Sequence, residues 1–189
     1  KASLYMDAQA LYDLFRSRQS DRHYDTTRAI SREVLQRIVE NALLAPSATN
    51  QQPWQIVVVD TPDLSQKVAS AARSGMLGQN KFLLQAPVHI LIIGDRPGAL
   101  AATMGKTFRD INYVPYDLGI LIAHLVLAVE AEGLGSCIVG WLNGRKVAKV
   151  LGIPKTKKVL FDISVGYSLD SKRPKKRKKP EDCIHYNGW

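Results

Sequence analysis

Apolar residues recur at helical spacing in three long segments of the chain. The first predicts a helix over 8–15, which leads into a polar strip over 16–23. In the second, Ser31 is placed as the N-cap of a helix that should end near Pro46. The third predicts a long helix over 116–132 with apolar residues around almost its whole circumference. Because a domain of this size buries such a helix most easily against a second subunit, the pattern favours a homodimer.

Segments rich in β-branched residues predict strands between these helices. They cover 55–59, 88–93, 136–139 and 159–165. Shorter helices are predicted after Thr61, towards Gln85 and over 144–151, whereas 97–112 has no strong period. Helices mixed with strands, without regular βαβ spacing, favour an α+β layered domain over a doubly wound one.

Composition indicates one globular domain followed by a basic extension. Of the 189 residues, 46% are hydrophobic and 23% are charged, as is typical of a packed protein. The formal net charge of +9 is local, because seven of the eight residues over 172–179 are Lys or Arg. We therefore assign 1–170 to the domain and 171–189 to the extension. The aromatic and apolar residues of 183–189 indicate that the extension docks onto folded protein.

Several function classes are disfavoured by what the sequence lacks. Cys137 and Cys183 are too few for a disulfide framework or a zinc site, and the four histidines have no metal-ligand spacing. No secretory signal is recognisable, and the longest apolar run, 118–129, is too short to cross a bilayer as a helix. We therefore expect a cytoplasmic protein with neither a metal nor a membrane partner.

Three arginines alternate with hydroxyl and amide groups over 16–22, directly after the first helix. Guanidinium groups offer planar forks of charge-assisted donors that suit phosphate oxygens, and Ser20 adds a hydroxyl donor. This makes the segment a candidate phosphate site. A solvated helix end would carry the same residues and, for this segment taken alone, is the more common case.

A second polar segment, 46–54, places amides and hydroxyls before an aromatic residue and a strand. Asn and Gln side chains can satisfy both the donors and the acceptors on the edge of a heteroaromatic ring. A turn in which Ser47 and Asn50 bind their own backbone explains the pattern equally well.

The glycine-rich segment 133–141 lacks both the Rossmann glycine spacing and a preceding strand, so a nicotinamide-type fold is not expected. Its glycines allow backbone N–H groups to approach a planar ligand, although a helix end followed by a strand needs the same residues. Cys137 occupies a small apolar strand position, which is typical of a packing residue rather than a nucleophile.

Taken in order, these segments resemble the nitroreductase family of FMN enzymes. Residues 18–22 are similar to the family's Arg-Arg-Ser-x-Arg motif, with Gln19 in place of the usual basic second residue. Residues 45–54 are similar to its Ala-Pro-Ser-x-x-Asn-x-Gln-Pro-Trp loop nearly residue for residue. Residues 133–140 resemble the segment after its dimer helix, and the Pro-Lys-Lys-Arg of 174–177 resembles its C-terminal phosphate-binding motif.

The resemblance implies an α+β homodimer with a mixed central sheet flanked by helices, a long buried dimer helix and FMN at the subunit interface. The extension 171–189 would pack on the partner subunit. NADH or NADPH would deliver hydride to FMN, and a small-molecule acceptor such as a nitroaromatic or a quinone would then take the electrons in a ping-pong cycle. No catalytic side chain is implied, because the chemistry resides on the cofactor.

The resemblance also implies which residues bind the charged parts of the cofactor. Arg18, Ser20, Lys175 and Arg177 would hold the FMN phosphate. Arg22 would lie towards N1 and O2 of the ring, where a guanidinium stabilises the negative charge of reduced flavin.

Other residues would bind the flavin ring and the ribityl chain. Asn50 and Gln52 would bind their polar atoms, with Ser47 setting the loop geometry, while backbone N–H groups at Val139 and Gly140 would face the N5 and O4 edge. The full predicted cofactor-binding set is Arg18, Gln19, Ser20, Arg22, Pro46, Ser47, Ala48, Asn50, Gln52, Gln79, Val139, Gly140, Lys175 and Arg177.

Alternatives to a general nitroreductase remain open at this point. A specialised relative, resembling iodotyrosine deiodinase or the flavin-cleaving enzyme of cobamide synthesis, would need a substrate lid, which 96–112 could encode. A flavin-binding protein without turnover is a further alternative. The lysine-rich run 172–179 also suits nucleic acid, but its charge is confined to one segment without a recognition helix, so we expect no nucleic-acid partner.

Overall fold

The computed structural model describes residues 7–73, 79–95 and 112–189. In chain order, its elements are α1 (Ala8–Ser17), α2 (Arg32–Ala42), β1 (Gln55–Val59), α3 (Pro62–Ala72), β2 (Val88–Asp95), α4 (Val114–Ala131), β3 (Gly135–Val139), α5 (Gly144–Val150) and β4 (Lys157–Gly166). The helix predicted towards Gln85 is a 3₁₀ turn over Lys81–Gln85, and further 3₁₀ turns cover Ala48–Asn50 and Pro180–Asp182.

The four strands form one sheet in the order β1-β2-β4-β3. Each neighbouring pair of strands is antiparallel. The α+β prediction is confirmed, but the prediction of a mixed sheet needs correction for these strands. Among the described residues, parallel pairing with this sheet is limited to an isolated bridge between Ser20 and Ser136, where the segment after α1 lies beside β3.

Local chemistry explains most of the element ends. The Ser31 side chain accepts a hydrogen bond from the Val34 N–H at 3.4 Å, which confirms the predicted N-cap of α2. This helix ends at Ala42, earlier than the predicted stop near Pro46, because the Ala45 N–H bonds to the Ala42 carbonyl and tightens the chain into a turn. Pro62 occupies the first turn of α3, where its missing N–H costs nothing.

The sheet separates two apolar clusters, so the domain has three layers. Alternate residues of β2 point to opposite faces, as the strand repeat requires. Ile90 and Ile92 pack with α2 and α4, whereas Leu91 and Ile93 pack on the α3 and α5 side.

Helix α4 is buried along one side only. Seven of its 18 residues are buried, Leu121 and Leu125 completely, but Tyr116 is 65% and Ile120 is 37% exposed. The expectation that the apolar segment is too short for a bilayer is wrong on length and composition, since the helix extends beyond 118–129 at both ends and has a mean hydropathy of 1.6 over an 18-residue window. A core helix of a soluble domain passes the same test, and the buried side of α4 packs in the core.

Candidate functional site

The arginine-rich segment after α1 is anchored on β3. The Asp21 N–H donates to the Ser136 carbonyl at 2.9 Å, next to the Ser20–Ser136 bridge. A Cβ on Gly135 would lie 2.7 Å from an Asp21 carboxylate oxygen and 2.6 Å from Ser168 Cβ. Glycine at 135 is therefore what allows the segment to approach the strand so closely.

A pocket of about 180 Å³ opens beside this contact. It is lined by Arg22, Asn80, Phe82, Cys137, Ile138, Val139, Gly140 and Trp141. The Arg22 guanidinium lies 5.8 Å from the centre of the Phe82 ring. The structure thus brings three residues of the predicted ring site, Arg22, Val139 and Gly140, to one pocket.

Five of the residues that line this pocket are absent from the predicted set, among them Asn80, Phe82 and Trp141. The Asn80 side chain donates to the Trp141 carbonyl at 2.8 Å and ties the turn before Lys81 to the end of β3. Trp141 is 74% exposed, and Phe82 adds a second aromatic wall. Gln79, the predicted neighbour, is exposed and does not line the pocket. The amide that lines the pocket belongs to Asn80, the residue directly after the predicted Gln79.

Cys137 lines the pocket and is buried. Burial raises the pKa of its thiol, and the Arg22 charge and a hydrogen bond with the Ser20 side chain oppose this only in part. Thiolate is therefore scarce at neutral pH, which agrees with the predicted packing role.

A cationic cluster surrounds Lys175. Its ammonium donates to the Arg18 carbonyl at 2.5 Å and is half-buried. Burial lowers the pKa of Lys175, the charges of Arg18, Lys172 and Arg177 lower it further, and Glu130 acts in the opposite direction. Four positive charges converge near the Glu130 carboxylate, an environment that a phosphate dianion would stabilise.

The predicted polar loop folds largely on itself. The Gln52 N–H donates to the Ser47 hydroxyl at 2.9 Å, and the Gln52 amide donates to the Asn50 side chain at 3.1 Å. Positive φ values at Thr49, Asn50 and Gln52 place strain in this loop. Pro46 opens the loop, and the Ala48 N–H donates to the Asp117 carboxylate of α4 at 3.0 Å.

The loop and the cationic cluster lie at opposite ends of α4. The loop is bonded to Asp117 in the first turn, whereas Lys172 of the cluster pairs with Glu130 near the last turn at 2.5 Å. At 1.5 Å per residue, these two carboxylates are roughly 20 Å apart along the helix. One chain therefore brings the predicted residues of 18–22, 139–140 and 175–177 into one region, but not those of 46–52.

The Gln19 side chain is directed neither towards the pocket nor towards the cationic cluster. It is only 5% exposed, and its amide bonds to Asp21 and to the backbone of Ser171 and Arg173. The first residues of the extension are therefore fixed on their own chain, which leaves 176–189 for the predicted contact with a partner.

Two histidines outside these clusters each pair with a carboxylate. Fully buried His89 donates to or accepts from Asp162 at 2.9 Å, and exposed His23 lies 2.6 Å from the Asp170 carboxylate. Across 7–73, 79–95 and 112–189, no group of three or more His, Cys, Asp or Glu residues is arranged to hold a metal ion.

Comparison with known proteins gives the family to which this fold belongs. The family model described as "Nitroreductase family" matches residues 15–167. The chain belongs to that family. Of the segments that carried the resemblance in the sequence, 18–22, 45–54 and 133–140 lie inside the matched region, whereas 174–177 lies beyond it.

Individual relatives are named for different activities. The chain is 30% identical over 170 residues to an NADH dehydrogenase of Thermus thermophilus, a match that covers 76% of this chain and 80% of the relative. It is 27% identical over 185 residues to an iodotyrosine deiodinase of Drosophila melanogaster, covering 86% of this chain and 64% of the deiodinase. Among solved structures, an FMN-dependent nitroreductase of Clostridium difficile R20291 superposes with a TM-score of 0.74 at 25% identity and covers 93% of this chain and 98% of its own.

Proposed function

We propose that the protein binds FMN and transfers hydride equivalents from NADH or NADPH to a small-molecule acceptor such as a nitroaromatic or a quinone. The observation that carries this proposal is the cationic cluster at Lys175, which the short segment 18–22 connects to the pocket of Arg22 and 139–140. The phosphate of FMN would contact the cationic cluster at one end of that segment, and its ring would contact the pocket at the other end.

The side chains present fit FMN by their chemistry. Arg18, Lys175 and Arg177 would hold the phosphate, because a dianion bound among these cations would relieve their mutual repulsion. Ser20 adds a hydroxyl close to Cys137. When bound, FMN would supply the hydride-accepting ring, and the guanidinium of Arg22 would stabilise negative charge at the edge of that ring.

Backbone and aromatic groups would orient the ring. A Cβ at Gly140 would lie 3.1 Å from the Phe161 ring, so the bare glycine is packed directly against β4 and its position is fixed. Rigid N–H groups at Val139 and Gly140 can donate to ring acceptors without reorganisation. Phe82 and Trp141 would cover the apolar faces and exclude water.

We propose in addition that the working unit is a homodimer formed through α4. The exposed side of this helix presents an apolar stripe at helical spacing, made up of Tyr116, Gly119, Ile120, Ala123 and the half-buried Leu127. A two-fold axis perpendicular to α4 places the first turn of one helix beside the last turn of its partner. The polar loop 46–52 of one chain, which is bonded to the first turn, would then approach the cationic cluster of the other.

One experiment tests the flavin proposal directly. Protein purified with FMN should show a flavin spectrum that is bleached when NADH or NADPH is added without oxygen, and recovers when a nitroaromatic or a quinone follows. Protein that remains colourless and cannot be loaded with FMN would refute the proposal. Flavin that is bound but never bleached by either nicotinamide would indicate a passive flavin-binding protein instead.

The dimer has its own test. Ala123→Arg places a charge in the exposed stripe of α4 and should shift the protein from dimer to monomer in sedimentation, because burying an unpaired charge in an apolar interface is costly. FMN occupancy should fall with it if both chains build the site. Ser70→Arg on the exposed side of α3 is the matched control. An unchanged dimer in Ala123→Arg would place the interface elsewhere.

The deiodinase relative motivates a second candidate, reductive removal of halogen from a halogenated tyrosine. The segment predicted as a substrate lid, 96–112, lies outside the described residues except for Asn112. Halide release from a halotyrosine, measured beside reduction of a nitroaromatic in the same reduced protein, separates the two candidates.

A further inference from the structure

Gln19 is a buried amide in the middle of a segment of cations. Its side-chain nitrogen donates to the Ser171 carbonyl at 3.0 Å and to the Asp21 carboxylate at 2.8 Å. Its side-chain oxygen accepts from the Arg173 N–H at 3.0 Å. Both hydrogens of the amide and its oxygen are therefore engaged within the protein, and the residue contacts two alternate peptide groups of the extension as a neighbouring strand would.

Three cations of the extension donate to backbone carbonyl groups at the end of α1 and in the segment that follows it. The Lys172 ammonium donates to the Ser17 carbonyl at 3.0 Å, and the Arg173 guanidinium donates to the Ser20 carbonyl at 2.6 Å. Lys175 takes the Arg18 carbonyl. The order of contacts depends on register, because moving the extension by one residue would present a different side chain at each carbonyl.

Asp170 joins the start of the extension to Arg22 and His23, next to the Gln19 contact. Its carboxylate accepts from the Arg22 N–H at 2.5 Å and the His23 N–H at 3.3 Å, with the His23 ring at 2.6 Å. Burial raises the pKa of Asp170, but these N–H groups and the His23 ring lower it by more. The carboxylate therefore remains charged at neutral pH, so the extension is held at Asp170 and again at 171–173.

A basic residue at position 19 could not make this contact. Lysine and arginine have no hydrogen-bond acceptor, so neither could receive the Arg173 N–H. An amide supplies a donor and an acceptor on one planar group. The departure of Gln19 from the family's basic residue thus coincides with a contact that only an amide can complete.

We propose that Gln19 is a positioning residue that sets the register of the extension, and so places Lys175 and Arg177 to recognise the phosphate of a phosphorylated flavin in preference to an unphosphorylated one. The proposal rests on the proposed FMN function. It reassigns Gln19 from a residue that touches the cofactor to one that acts through the cations of the extension.

The test compares the affinity of the apoprotein for FMN and for riboflavin, which differ only in the phosphate. Gln19→Leu keeps the volume and removes all three hydrogen bonds, so the dissociation constant for FMN should rise about tenfold while that for riboflavin stays unchanged. The dependence of FMN binding on salt should weaken as well, since fewer cations reach the phosphate. Equal weakening of both ligands, or of neither, would overturn the proposal.

A second pair of variants probes the contact from the extension, in case Gln19→Leu does not fold. Arg173→Pro removes both the arginine side chain and the backbone N–H that donates to Gln19. Arg173→Ala removes the side chain alone. Arg173→Pro should lose more of the preference for FMN over riboflavin than Arg173→Ala. Equal preference in these two variants would contradict the proposal.

The wild-type apoprotein distinguishes failure of the proposed FMN function from failure of the proposed role of Gln19. Wild type that binds neither flavin refutes the proposed function and the inference together. Wild type that prefers FMN, beside a Gln19→Leu variant with the same preference, refutes only the inference.

Discussion

Replacing Asp162 with alanine is expected to lower the free energy of unfolding by about 3–5 kcal/mol. Asp162 and His89 have fully buried side chains on neighbouring strands, with the ring nitrogen Nδ1 at 2.9 and 3.1 Å from the two carboxylate oxygens. Removing the carboxylate leaves the imidazole buried without that partner. Within the described part of the chain, Nε2 of the same ring already lacks one, so a large desolvation cost remains.

Urea unfolding followed by circular dichroism measures this effect. Asp60→Ala is a suitable control, because Asp60 forms a bidentate pair with Arg32 at 2.8 Å but at the surface, where the expected loss is at most about 1 kcal/mol. The double variant His89→Phe with Asp162→Leu should recover much of the loss, since it removes both polar groups together. A loss in Asp162→Ala no larger than that in Asp60→Ala would show that the buried pair contributes little to stability.

The elements of the fold were predictable because their signals are local. Gln55–Val59 is a run of apolar and β-branched residues after Pro53, and the strand has the predicted bounds. Ser31 caps its helix through a bond to Val34, three residues away. Such signals need no knowledge of the rest of the chain. They do not report which strands become neighbours, so the antiparallel order β1-β2-β4-β3 came only from the structure.

The site was predictable only in part, because its contacts span the chain. Motif residues Arg22 and Gly140 line one pocket, but Asn80 and Phe82 reach it through the turn before β2, which carries no recognisable motif. The role of Gln19 depends on Ser171, 152 residues away in sequence. A hydrogen bond between such distant positions leaves no periodic or local pattern that reasoning from a single sequence can use.

The long helix shows a different limit. Its composition correctly predicted a helix with buried residues, but apolar residues on all sides cannot say what covers each side. In the structure, the sheet and α2 cover one side, while Tyr116 and Ile120 on the other remain exposed. The homodimer therefore stays a proposal that rests on this exposed stripe and on the separation of the loop 46–52 from the cationic cluster.

Lys175→Met is expected to raise the dissociation constant for FMN roughly 10- to 100-fold, the range for losing one hydrogen bond to a charged group. Methionine keeps the unbranched stem of lysine and removes the ammonium. Lys178→Met is the matched control, because Lys178 is exposed in the same extension. Similar losses in the two variants would mean that the total charge of the extension, rather than the position of Lys175, determines binding.

The pH dependence of FMN binding gives a second readout at the same residue. Burial and the neighbouring cations hold the pKa of Lys175 below 10.5 in the apoprotein, and a bound phosphate dianion should raise it again. Binding then takes up a proton, so FMN affinity should fall as the pH rises through the lowered pKa. Without ligand the sign is reversed: between the lowered pKa and 10.5 the unfolded chain holds more protons, so the stability of the apoprotein should increase with pH. Calorimetry in two alkaline buffers of different ionisation enthalpy measures the proton uptake. Uptake that persists in Lys175→Met would assign the titration to another group.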